Sequence, residues 1–192
     1  MLSGLFDTHA HYDARQFDPD RDEVLSALPG QGVELVVNPG CDLASSRRAV
    51  ELAGRYSFVY AAVGVHPEEC GGWRDADVAE LRALAAQPKV VAVGEIGLDY
   101  YWPENPPKEL QKRVFRAQMA LAAELDLPVI VHDREAHGDS MDIVREFPGV
   151  RGVFHCFSGS AEMARELVKL GWMISFTGVL TYKNARKAVE AA

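Results

Sequence analysis

Val90-Val91-Ala92-Val93-Gly94-Glu95, then an amphipathic Ala/Glu/Arg-rich stretch over residues 108–126, then Pro128-Val129-Ile130-Val131-His132, reads as strand, helix, strand. Near-continuous apolar runs, unlike alternating ones, mark strands buried on both faces, as in a parallel sheet with helices outside. The same alternation extends in both directions. Strand-like runs recur at Leu5–Thr8, Val33–Asn38, Phe58–Val63, Gly152–His155 and Met173–Thr177. Helical stretches lie near 19–29, 43–55, 76–87, 138–147, 161–170 and 182–192. No linker or composition break divides these seven units, so residues 1–192 read as one domain. A closed parallel barrel needs eight strands. The pattern is therefore expected to be a TIM (β/α)8-type barrel with seven strand–helix units present, cut short at the C-terminus by one. The rival is an open doubly wound sheet. No GxGxxG turn follows the first strand, so that rival brings no dinucleotide site.

Composition narrows the function classes. The chain has no apolar run long enough to cross a membrane and no basic-then-apolar leader. Its three cysteines, Cys41, Cys70 and Cys156, are scattered and form no CxxC, which suggests a reduced, cytoplasmic protein. A net charge of −8 makes it a poor passive binder of nucleic acid. A polyanionic substrate would have to be met by a few local cations or by bound metal.

In a parallel barrel the chemistry sits where strands end at their C-terminal side. The first strand leads into His9 and His11, which share a face because strand side chains alternate. The third leads into Gly64-Val65-His66-Pro67, the fourth ends at Glu95, the fifth at His132 ahead of Arg134, and the sixth at His155. Five of the six histidines thus fall at strand ends; His137 reads as ordinary surface. His9 and His11 would hold one cation, and His132 with His155 a second. Glu95 between them has two oxygens and can bridge, which an imidazole cannot. Two cations flanking a bridging oxygen are the usual device for hydrolysing phosphate esters, one of them yielding metal-bound hydroxide near neutral pH. Mixed imidazole and carboxylate ligation suits Zn, Mn, Co or Fe over Mg or Ca.

Each residue has a blander reading. Glu95 could be a loop carboxylate between Gly94 and Gly97, His132 a donor to a core carbonyl, and His66 a turn residue before proline. His66 is assigned to a polar substrate contact. Alternation turns Cys156 away from the face of His155. Asp7 falls on the opposite face from His9, and Asp99 and Asp133 lie past the strand ends. Beyond Glu95 no dedicated general base is evident, Asp99 and Asp133 remaining possible and an eighth strand being the natural source of another carboxylate.

Taken together, the segments Asp7-Thr-His-Ala-His11, Gly64-Val-His-Pro67, Gly94-Glu-Ile-Gly-Leu-Asp-Tyr-Tyr101, Leu127-Pro-Val-Ile-Val-His-Asp-Arg-Glu-Ala136, His155-Cys-Phe-Ser-Gly159 and Ser175-Phe-Thr-Gly178, with Lys183-Asn184, resemble the TatD family of metal-dependent deoxyribonucleases. The resemblance implies a TIM barrel with two divalent ions (Mg, Mn or Zn). His9 and His11 would take one, His132 and His155 the other, and Glu95 would bridge. It implies that His66, Arg134 and Lys183 touch substrate phosphates. The implied activity is exonuclease-like hydrolysis of DNA, often single-stranded, linked to DNA repair or degradation. The family's last strand carries a Thr-Asp-Ala-Pro segment whose Asp binds metal and serves as base, and this chain shows none. The rival functions are a metal-dependent amide or ester hydrolase of the same superfamily, and a non-catalytic remnant. The cations Arg134 and Lys183 near the mouth favour an anionic substrate.

Overall fold

A computed structural model of the chain describes residues 3–192. Seven parallel strands form one sheet in chain order: β1 (Leu5–Asp7), β2 (Val33–Pro39), β3 (Val59–Val63), β4 (Val90–Asp99), β5 (Val129–Arg134), β6 (Gly152–Phe154) and β7 (Met173–Ile174). They alternate with α1 (Arg21–Ala27), α2 (Leu43–Arg55), α3 (Asp77–Ala85), α4 (Lys108–Leu125), α5 (His137–Glu146), α6 (Ala161–Lys169) and α7 (Arg186–Ala191). A doubly wound sheet reverses its strand order part-way. Here the order never reverses, so the sheet curls as a TIM-type barrel does, and the doubly wound alternative falls. Among the described residues β1 pairs only with β2, and β7 only with β6.

Strand alternation divides the residues between two environments. On the outer face, Ala61 and Val63 of β3 join Ala49 and Ala53 of α2 and Leu81 of α3. Farther round, Val93, Ile96 and Leu98 of β4 and Val129 and Val131 of β5 pack on Phe115 and Met119 of α4, Ile143 of α5 and Leu167 of α6. Fully burying such side chains contributes about 1.5–3 kcal/mol each, so this layer carries most of the stability. On the inner face Val37, Ala62, Ala92 and Ile130 form a small apolar floor. Above that floor the same parity places His132 and Arg134, two and four residues beyond Ile130, on the inner side of β5.

The expected strands and helices are all present, with shifted ends. β1 is three residues long and β7 two, and a 3-10 turn over Gly178–Thr181 occupies what was expected to lead directly into the last helix. The most consequential shift is in β4, which does not stop at Glu95 but runs to Asp99. Gly97 makes this possible. Its φ is +138°, and a Cβ there would stand 2.0 Å from the His132 carbonyl oxygen. Only glycine lets β4 run this close to β5. Among the described residues no helix is long and apolar enough to cross a membrane, and the three cysteines are free.

Candidate metal centre

Glu95 sits at the centre of the inner face, 4% exposed. Its Oε2 lies 3.2 Å from His9 Nε2 and 3.5 Å from His11 Nε2. Its Oε1 lies 3.2 Å from His132 Nδ1 and 3.8 Å from His66 Nε2. Each carboxylate oxygen thus addresses a different pair of imidazoles. His9 and His11 follow β1 in a turn held by His9 N–H donating to Asp7 Oδ1, at 3.0 Å. The next part of that segment is tied to β2: Asp13 N–H donates to Asn38 Oδ1, and Asn38 Nδ2 donates to Asp13 Oδ1, both groups buried.

The donor set fits a cation. His9 Nε2 and His11 Nε2 are 3.0 Å apart, so these three donors stand 3.0–3.5 Å from one another. Donors about 2.0–2.1 Å from a tetrahedral ion lie ~3.4 Å apart, which is this spacing. His9 Nδ1 is buried without a hydrogen-bond partner, so the protein alone does not satisfy this ring. A second group, His66, Glu95 and His132, also brings one donor atom from each residue within 4.8 Å of the others. His155 joins neither group of three; its ring stacks on His9, centroids 3.4 Å apart and planes 10° from parallel.

Protonation follows the geometry. Burial would raise the Glu95 pKa, but hydrogen bonds from His11, His132 and His9 hold it well below the usual carboxylate range. Burial would lower that of His11, but the Cys41 sulfur and Glu95 outweigh it and push it up to about 10. His132 is likewise pushed up to about 9, burial being outweighed by Asp99 and Glu95. Burial leaves His66 at about 4, and burial with the neighbouring His9 leaves His155 at about 4. His66 is therefore neutral, and its Nδ1 accepts from Glu68 N–H at 3.3 Å. The one ring proton must then sit on Nε2, facing Glu95. A protonated nitrogen donates and does not ligate, which favours a substrate or carboxylate contact for His66 over a metal bond.

Asp99 enters the site although the sequence placed it beyond the strand. With β4 extended, Glu95, Gly97 and Asp99 share one face. Asp99 is fully buried, and its Oδ2 lies 2.9 Å from His132 Nε2. A carboxylate on the far nitrogen of an imidazole fixes which ring nitrogen faces a metal, here Nδ1. The signal was available in the parity of Gly94-Glu95-Ile96-Gly97-Leu98-Asp99.

Other expected positions need correction. His137 is not plain surface: its Nδ1 pairs with Asp133 Oδ2 at 2.7 Å, and Ser140 Oγ donates to the other carboxylate oxygen at 3.0 Å. Asp133 faces the helix layer and serves α5. Cys156 does not follow strand alternation, because β6 ends at Phe154 and Cys156 has φ +48°. Its Sγ lies 3.2 Å from Thr177 Oγ1. Beside the centre opens a cavity of about 440 Å³, lined by His132, Arg134, His155, Tyr182, Asn184 and Lys187 among others. Arg134 lines it as expected. Lys183 lines a neighbouring cleft, and Lys187, which the sequence reading passed over, stands at the cavity.

The family model described as TatD related DNase matches residues 6–192. The chain belongs to the TatD family. It is 46% identical over 188 residues to the "Uncharacterized metal-dependent hydrolase YabD" of Bacillus subtilis, covering 97% of this chain and 73% of that one. It is 39% identical to the "3'-5' ssDNA/RNA exonuclease TatD" of Cronobacter turicensis, covering 91% of this chain and 66% of the other. The chain thus spans about two thirds to three quarters of the length of these relatives. Among solved structures, YJJV, a TatD homolog from Escherichia coli, superposes with a TM-score of 0.90 at 35% identity, covering 100% of this chain and 74% of that one. A TatD family hydrolase from Entamoeba histolytica superposes at 0.81 with 27% identity, covering 93% and 66%. The family is one of metal-dependent hydrolases, in keeping with the His/Glu cluster.

Proposed function

We propose that this TatD-family chain hydrolyses phosphodiester bonds of single-stranded nucleic acid, most readily DNA, from an end. The observation that carries this reading is the division of Glu95: its Oε2 faces His9 and His11 while its Oε1 faces His132, so one carboxylate could serve two cations. His9 Nε2, His11 Nε2 and Glu95 Oε2 would hold one divalent ion, Mg, Mn or Zn. His132 Nδ1, Glu95 Oε1 and His155 would hold the other. When bound, such ions supply Lewis-acid polarisation of a phosphoryl group and a water acidified toward neutral pH. Glu95, kept ionised by His11, His132 and His9, would supply the negative charge that holds both ions. His66 Nε2–H donates a hydrogen bond toward an anionic oxygen, and its low pKa keeps it a neutral donor through the physiological range. Asp99 holds His132 in one tautomer. Arg134 and Lys187 supply the local positive charge that a net charge of −8 makes necessary.

The test is strand hydrolysis by the chain stripped with chelator and reloaded with Mn, Mg or Zn. Mononucleotides should appear from end-labelled single-stranded DNA, more slowly from duplex, and Glu95→Gln should reduce release by two orders of magnitude or more. Failure of every reloaded metal to release nucleotides, with turnover of a neutral ester or amide instead, would transfer the chain to the rival hydrolase class.

A further inference from the structure

At the mouth of the centre stands an arrangement that metal chemistry does not use. β4 ends at Asp99, and the following segment carries Tyr101 and Trp102, 50% and 43% exposed. Large aromatic side chains left in solvent are costly on a loose loop, but this one is anchored from below. Asp99 Oδ1 accepts from Tyr101 N–H at 2.9 Å and from Asn105 Nδ2 at 3.0 Å. Gln111 Nε2 donates to the Asp99 and Pro106 carbonyls at 2.9 and 2.8 Å. The two rings meet edge to face, centroids 4.7 Å apart. Arg134 reaches across from β5 and places its guanidinium carbon 3.8 Å from the Tyr101 ring centre and 5.4 Å from that of Trp102.

Arg134 makes no salt bridge among the described residues, so its in-plane N–H donors are uncommitted while its face lies on aromatic carbon. It also lines the cavity that His132 and His155 border. One spot therefore offers a rigid π surface and, at its edge, a fork of donors suited to phosphate. A ligand that uses both must carry a flat exposed ring and an anionic oxygen together. An unpaired nucleotide does, and a base within a duplex hides its face in the stack.

We propose that Tyr101, Trp102 and Arg134 form a stacking platform for an unpaired base of the strand whose phosphate enters the metal centre. The proposal rests on the nucleic-acid reading above and assigns these residues to recognition of single-strandedness. The bland alternative is a cation–π pair that only fastens the loop to β5.

The probes are a short oligothymidylate and an abasic strand with the same number of phosphates, added to the chelator-treated chain so that neither is cut. Trp102 is exposed whereas Trp73 and Trp172 are 9% and 4% exposed, so indole fluorescence reports the platform. Oligothymidylate should quench it and the abasic strand should not. One stacked base should tighten binding by about five- to a hundred-fold, read by anisotropy of labelled strands. Trp102→Ala, with Trp102→Phe as a better-folding control, should erase or weaken that preference in that order. Arg134→Lys should keep the salt dependence and lose base preference, because an ammonium has no plane to stack.

Equal affinity for the two strands, or binding of neither, overturns the platform; so does an unchanged preference in Trp102→Ala. The two proposals fail separately. Strand cleavage on metal reloading without any base preference removes the platform and leaves the nuclease. Base-dependent quenching without cleavage supports the platform and removes the nuclease.

Discussion

Asp99→Asn changes one buried atom and should invert the chemistry of His132. The wild-type carboxylate accepts from His132 Nε2 through Oδ2, and from Tyr101 N–H and Asn105 Nδ2 through Oδ1. An asparagine must keep its single oxygen on those two donors, so its amide NH2 turns to His132 Nε2. That nitrogen must then accept, and the neutral ring carries its proton on Nδ1, the atom facing Glu95 and the proposed ion. Loss of such a second carboxylate typically lowers metal affinity about 10- to 100-fold, or ~1.4–2.7 kcal/mol. The His132 pKa should also fall from about 9, since Asp99 is foremost among the groups that raise it against burial. The assay is calorimetric titration of Mn or Zn into chelator-treated protein, with nitrogen NMR of the ring to read the tautomer. Wild-type affinity in a folded variant, with the proton still on Nε2, would refute the argument outright.

Gly97→Ala places a methyl 2.0 Å from the His132 carbonyl oxygen at φ +138°; strain and clash should cost about 2–4 kcal/mol in urea unfolding, and an unchanged midpoint would show that β4 and β5 are not locked there. Lys187→Ala should flatten the logarithmic salt dependence of single-strand binding by about 0.7, with a smaller change for Lys183→Ala, since Lys187 and not Lys183 lines the cavity; the reverse order would relocate the strand path. Metal binding should release protons at pH 7 and tighten as pH rises toward 9, because His11 and His132, raised to about 10 and about 9, must lose protons to ligate; calorimetry in buffers of differing ionisation heat would expose the error if no proton is released.

What the sequence made legible is what strand alternation controls. Glu95 and His132 were readable because a buried parallel strand announces itself by apolar runs and turns alternate residues inward, whereas His9 and His11, expected to share a strand face, stand in a turn beyond β1, which ends at Asp7. Asp99 was obscured by two glycines that look like loop. They are there because β4 runs against its neighbours, as Gly97 shows at the His132 carbonyl, and neighbours across a sheet are not visible in a linear string. Asp133, expected past the strand end, instead lies within β5, and its parity opposite to His132 turns it to the helix layer, where it holds His137 and Ser140. Lys187 was out of reach. Its approach to the cavity depends on how the 3-10 turn over Gly178–Thr181 redirects the chain, a tertiary result with no local pattern. The stack of His155 on His9 joins residues at opposite ends of the chain and is equally silent in sequence.

A carboxylate buried among four imidazoles is a poor way to stabilise a protein. Replacing buried ionic groups with well-packed apolar ones is often neutral or favourable by about 1–4 kcal/mol, and the inner floor of Val37, Ala62, Ala92 and Ile130 shows that this barrel can fill itself that way one layer down. In the centre the protein instead keeps Glu95 ionised, carries protons on His11 and His132, and holds His66 and His155 neutral. The set has more ring nitrogens than protons to share, and a buried nitrogen of His9 is left with no partner. Stability is supplied by the outer face of the same strands, where Ile96 and Leu98 alternate with Glu95, Gly97 and Asp99. The period-2 geometry of β4 thus lets one strand serve the core with one side and hold a cation-seeking cluster with the other. The convergence of imidazole and carboxylate donors at ligand spacing, with a buried His9 nitrogen left unpartnered, is the physical reason to read it as a metal centre, independently of any family resemblance.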